Sequence, residues 1–195
     1  MTTATIPAFD PVAEAIAAVE GVPEAAQAEL PAMGGAAKTK DLLIIDYSGD
    51  LEKVWAALIL ASTGGAMGVR TRVFVTFWGL QVFVKDSKRI TGENWMQKML
   101  SAMQRPGISH RKLSKMNFLG MGPWMMGRLA KRYGVASPRE LLEAAQALGV
   151  EFIPCQMTMD MFGLKPEDMI DGMSEPAGAA TVIGLMTDNS TPLFI

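Results

Sequence analysis

The chain has 195 residues, 49% of them apolar and 19% charged, which is enough for one domain with a substantial buried core and is not the composition of a disordered chain. Its 18 basic and 20 acidic residues leave a formal net charge of -2, which argues against gripping nucleic acid through overall charge. A single cysteine and a single histidine exclude an internal disulfide framework and any multi-thiolate zinc or iron-sulfur site, so neither a metal nor a cofactor is expected.

Residues 1–40 read as an extension. They are rich in Ala and Pro and carry Asp10, Glu14, Glu20, Glu24 and Glu29 against Lys38 and Lys40. Asp10-Pro11 predicts a helix start, Val12, Ile16 and Val19 give it a narrow apolar stripe, Gly21-Val22-Pro23 ends it, and residues 31–35 form a linker. The first 21 residues contain acidic groups and no Lys or Arg, so no signal peptide is indicated and a cytoplasmic chain with a reduced thiol is expected. The longest uncharged run, 54–69, has 16 residues and three glycines, short of the roughly 20 apolar residues of a membrane span, and reads as a buried helix.

From Asp41 onward the pattern is that of an α/β domain covering 41–195. The run Leu42–Ile45 predicts a buried strand followed by the turn residues Tyr47, Ser48, Gly49 and Asp50. Asp50 then caps a helix over 51–67, and 70–77 forms the next strand, a βαβ unit whose strands must be parallel. Gly64, Gly65 and Gly68 lie at the end of that helix rather than between the first strand and the helix, so they serve packing or capping and not a dinucleotide.

Residues 80–132 hold eleven Lys and Arg against two acidic residues, together with seven methionines. Met96, Met99 and Met103 share one helical face, open to three readings: core or subunit packing, docking of an acidic partner, or contact with anionic lipid. Further on, Ser137, Pro138 and Glu140 make a capping box ahead of the stripe Leu141, Leu142, Ala145 and Leu148. A short strand at 150–153, a helical turn running to Gly163, a short helix from Pro166, a last helix over 177–186 and a final edge strand at 192–195 complete a mainly parallel sheet flanked by helices.

Active groups in such sheets gather beyond the carboxyl ends of the strands. The first strand brings Tyr47, Ser48 and Asp50 there, the second Phe77, Trp78 and Gly79, and the third Cys155. Cys155 is the one side chain of this set with intrinsic nucleophilicity near neutral pH, and a helix N-terminus after it would favour its thiolate; a buried structural cysteine is the competing reading. His110 lies within the basic run 109–112 and reads as a solvated surface residue, so no Cys-His pair is visible, and Asp160 reads as a turn or capping group. Chemistry that needs only a thiolate fits best, and sulfur transfer is of that kind. Tyr47, Trp78, Met157 and Met159 are expected to form an apolar collar around the sulfur, with Ser48, Gly79, Gln156 and Asp160 supporting the site.

The segment Glu151–Gly163, reading EFIPCQMTMDMFG, resembles the cysteine motif of the DsrE/DsrF-like family in its second DsrE type, and Phe74–Leu80 resembles the same subgroup's second strand and its exit. The resemblance covers 41–195. It implies a flavodoxin-like or Rossmann-like fold, a cytoplasmic homo-oligomer that carries sulfane sulfur as a persulfide on Cys155, and exchange with TusA-like sulfur carriers and rhodanese-type sulfurtransferases. Some members of the subgroup are membrane-associated, and a histidine that some members use near the site has no counterpart here. Arg105, His110, Arg111, Lys112 and Lys115 are the expected docking residues for an anionic donor or partner. The alternative is a non-catalytic scaffold that docks sulfur-pathway proteins at a membrane surface through the basic, Met-rich region.

Overall fold

The computed structural model describes residues 40–87, 95–97, 99, 105–188 and 190–195. The extension at 1–39, its predicted helix and linker, and Met103 lie outside the described residues. The apolar run after Lys40 forms β1 (Asp41–Asp46), followed by α1 (Leu51–Ala66) and β2 (Thr71–Val75). A one-turn helix α2 (Phe77–Leu80) leaves β2 directly; α3 (Met121–Arg132), α4 (Pro138–Ala147), β3 (Glu151–Pro154), α5 (Gln156–Phe162), α6 (Ala179–Thr187) and β4 (Ser190–Phe194) follow. These four strands pair in parallel, in the sheet order β3-β2-β1-β4. The expected α/β class with a parallel sheet is therefore observed, with β4 at the edge where a final strand was predicted.

Strand alternation divides the core into two layers. Ile44, Val73, Val75 and Phe152 face α1 and α4, where Val54, Leu58, Ala61, Leu141 and Ala145 are buried against them. Leu43, Ile45, Phe74, Ile153 and Cys155 point to the opposite face, which Val182 of α6 covers. Cys155 lies two residues beyond Ile153 and so stays in phase with it. Its layer is the thinner one: α6 buries only Val182.

Local features hold these layers in register. A Cβ on Gly64 would lie 2.5 Å from Thr71 Oγ1, so α1 can approach β2 only with glycine there, and Gly68, at φ +73°, ends the helix. At the same amino-terminal end of the strands the buried Arg72 bonds Asp41 of β1 at 2.7 Å and Glu151 of β3 at 3.2 Å, tying three strands together through one guanidinium. Asp50 occupies the N-cap position of α1 but makes no capping bond; its carboxylate is taken by Lys53 at 2.8 Å. The predicted strand 70–77 stops at Val75, because Phe77 turns into the left-handed region at φ 45° and opens α2.

The capping box of α4 is complete: Ser137 Oγ accepts from Glu140 N at 3.3 Å, and Ser137 N donates to the Glu140 carboxylate at 2.7 Å. Removing that hydroxyl by Ser137→Ala should lower stability by about 1 kcal/mol. Urea melts of the two proteins measure it, and equal midpoints would show that the box adds nothing.

Candidate functional site

The carboxyl ends of β1, β2 and β3 lie side by side. Cys155 donates its N–H to Val75 O at 3.0 Å, which seats it beside Thr76 at the end of β2. On its other flank residues 173–177 run alongside β3: Ser174 N donates to Phe152 O at 2.8 Å, Ala177 N to Pro154 O at 2.9 Å, and Gln156 N to Ala177 O at 3.0 Å. Cys155 is the N-cap of α5, with extended φ and ψ, and its carbonyl accepts from Met159 N at 3.0 Å.

The thiol is 5% exposed. Burial pushes its pKa up, but the hydroxyls of Thr158 and Thr76 and the N–H groups of Thr158 and Met157 favour the thiolate more strongly, and the pKa lies below its ordinary value. The Cys155 side chain makes no capping hydrogen bond to the first N–H groups of α5. The two hydroxyls are 3.0 Å apart. Phe77 N donates to Thr158 Oγ1 at 3.2 Å, which fills an acceptor site on that oxygen and leaves its proton free to point elsewhere. The sharp turn at Phe77 is what brings its N–H there.

Thr76 and Thr158 were not singled out from the sequence. The signal for Thr158 was its spacing, three residues after the N-cap, where a side chain reaches back toward the cap. Thr76 becomes a neighbour of Cys155 only through the register of β2 with β3.

Of the expected collar, Trp78 and Met157 are partly exposed at this edge, and the Trp78 ring stacks on Phe162 of α5 at 5.4 Å. Met159 does not join the collar: at 1% exposure it belongs to the core beside α1, because two residues along α5 are little more than half a turn and place it on the face opposite Met157. The Tyr47 ring packs on Phe194 of β4 at 5.1 Å, on the side of β1 away from β3. Gly79 N donates to Tyr47 O at 3.1 Å, and a Cβ on Gly79 would fall 2.5 Å from Asp46 O, so glycine lets α2 lie against the end of β1. Ser48 is buried, its Oγ donating to Asp50 Oδ2 at 3.1 Å. Gln156 Nε2 donates to Asp160 Oδ1 at 2.8 Å, an exposed bond within α5.

Residues 38–194 match the model of the DsrE/DsrF/DrsH-like family. The chain belongs to this family. It is 36% identical over 159 residues to the sulfur carrier protein DsrE2 of Allochromatium vinosum, a match covering 80% of this chain and 98% of that one. It is 35% identical over 158 residues to the uncharacterized protein YrkE of Bacillus subtilis, covering 81% and 98%. Among solved structures it resembles the ychN protein of E. coli, with a TM-score of 0.50, 14% identity and coverage of 80% of this chain and all of that one, a likeness of fold.

In this family member the basic segment divides. Arg105, His110, Lys112 and Lys115 are exposed, but Arg111 is not the solvated docking residue expected from sequence. Its side chain is buried behind residues 48–50, with a guanidinium nitrogen donating to Arg105 O. His110 Nδ1 lies 3.2 Å from Pro106 O. Met96 and Met99 are exposed, so core packing within the chain does not account for them. Helix α3, which the sequence pattern did not reveal, exposes Trp124, Met125 and Leu129 beside Arg128, Lys131 and Arg132. Among the described residues no helix is long and apolar enough to cross a membrane, and no group of three or more His, Cys, Asp or Glu is placed to hold a metal ion.

Proposed function

We propose that this chain is a sulfur carrier that holds sulfane sulfur as a persulfide on Cys155. The observation that carries this reading is the setting of the thiol: the single cysteine, at the end of a parallel strand, with two hydroxyls and two N–H groups favouring its thiolate. Membership of the DsrE/DsrF/DrsH-like family and a relative named a sulfur carrier support it. The Cys155 thiolate attacks the outer sulfur of a donor persulfide, a new S–S bond forms, the donor's S–S bond breaks, and the donor leaves as a thiolate with the electron pair. No net oxidation occurs. An acceptor thiolate then attacks the outer sulfur of the Cys155 persulfide, and Cys155 leaves as the thiolate that the Thr76 and Thr158 hydroxyls favour.

Trp78 and Met157 form the remaining collar, limiting access of water and small reductants to the bound sulfur. Its exchange partners are a TusA-like carrier and a rhodanese-type sulfurtransferase, and the chain works as a homo-oligomer in the cytoplasm; the apolar side chains exposed on α3 and α6 favour association. The same exposed face of α3, with its flanking cations, favours a second reading, a scaffold that docks at a membrane surface. A transfer assay separates the two. Chain loaded with polysulfide and freed of excess should pass sulfur to a TusA-like carrier, and Cys155→Ser should pass none. Full transfer by Cys155→Ser would overturn the carrier reading.

A further inference from the structure

At the carboxyl ends of β1 and β2 lies a cavity of about 440 Å³ between residues 48–50, Trp78, Arg105 and residues 110–114. Arg111 lines it, is 9% exposed, and has an Nε with no hydrogen-bond partner. No described carboxylate lies within ion-pair distance of that guanidinium: Asp86, the acidic group that acts on it through space, is taken by Ser109 at 3.0 Å and by Arg139. Arg105 and Lys112 add two exposed cations to the wall. The acidic groups nearby are already satisfied, Asp50 by Lys53 and Ser48, and Glu52 by Ser114.

The cavity also faces the start of α1, a helix of 16 residues; Leu51 N there already donates to Lys112 O at 2.8 Å and Lys53 N to Asp50 O at 3.1 Å, so the helix end contributes its dipole rather than a row of free donors. Gly49 is shaped to the site. A Cβ there would lie 2.7 Å from Trp78 O and 3.1 Å from Arg111 Nη1, so the backbone at 49 closes against the guanidinium only as glycine.

A buried guanidinium with no ion-paired carboxylate among the described residues carries a desolvation penalty that a bound anion would offset, and its planar fork of donors matches tetrahedral oxyanions. The geometry points to an oxyanion-binding site in this cavity, centred on Arg111 and supported by Arg105 and Lys112, that accepts a tetrahedral oxyanion, either free or as the charged end of a larger molecule. It is separate from the thiol, and it does not depend on Cys155 carrying sulfur.

The test uses the full chain carrying Cys155→Ser, so that no covalent chemistry intrudes, with sodium thiosulfate, sodium phosphate and sodium chloride titrated calorimetrically at constant ionic strength. At least one tetrahedral oxyanion should bind and chloride should not. Thiosulfate alone would identify a sulfur oxyanion as the ligand, phosphate alone a phosphorylated one, and both a general oxyanion site; each upholds the proposal. Lys112→Glu, an exposed change in the wall, should weaken binding about tenfold, whereas Lys115→Glu, outside the lining, should weaken it by less than about twofold. Absence of binding by both oxyanions, or equal weakening by Lys115→Glu, would overturn it.

Discussion

Asp46→Asn should make the protein more stable at pH 8 than the parent and nearly indifferent to the change at pH 4. Asp46 ends β1 with its side chain fully buried; Oδ1 accepts from Ser48 N at 3.2 Å, while Oδ2 has no partner. Burial drives its pKa up to about 7, and the Ser48 N–H and the Lys53 charge offset only part of this. Between about pH 4 and about pH 7 the folded chain keeps a proton that the unfolded chain releases, so stability falls as pH rises through that window and levels off above it. A carboxyl raised from 3.8 to about 7 costs the folded state about 4 kcal/mol once both states are ionised. Asparagine removes this dependence, and its N–H stands where the protonated carboxyl also lacks a partner at Oδ2, so the two proteins are close at low pH and the readout is the pH dependence of their difference. Urea melts at pH 4.5, 6 and 8 should diverge by several kcal/mol. Parallel profiles would show that Asp46 ionises in the folded chain without penalty.

The second large effect concerns the thiol. Hydrogen bonds to an ionised group are worth roughly 1.5–3 kcal/mol each, so replacing both Thr76 and Thr158 by Val should slow alkylation of Cys155 by iodoacetamide at neutral pH about tenfold or more. Thr158→Ser keeps the hydroxyl and should keep the rate. Circular dichroism checks folding, because Val at 158 leaves Phe77 N without its acceptor. An unchanged rate in a folded double variant would mean that the hydroxyls do not set thiol reactivity.

Much of this architecture is legible in the sequence because it rests on local rules. The run 42–45 has to be a buried strand, a helix after it has to return the chain to a parallel neighbour, and Ser137-Pro138-Arg139-Glu140 specifies its own helix start. The position of Cys155 at a strand end follows from the same logic. What was not legible depends on contacts between distant segments. Thr76 reaches Cys155 through the pairing of β2 with β3, 79 residues apart at Arg72 and Glu151. Arg111 reads as one more cation in a basic run, yet the loop at Gly49 buries it; nothing within 109–112 distinguishes it from Lys112. Met157 and Met159 look alike in an alternating motif, but the segment is helical and α5 sends one to solvent and the other to the core.

Intact-mass spectrometry tests directly whether Cys155 accepts sulfur. Incubated with polysulfide and freed of excess reagent, the chain should gain about 32 Da, one sulfur atom, and lose it again on reduction with dithiothreitol. Cys155→Ala should gain nothing. A parent chain that stays unmodified while fully folded, or a gain of the same mass that persists in Cys155→Ala, would contradict sulfur loading at Cys155.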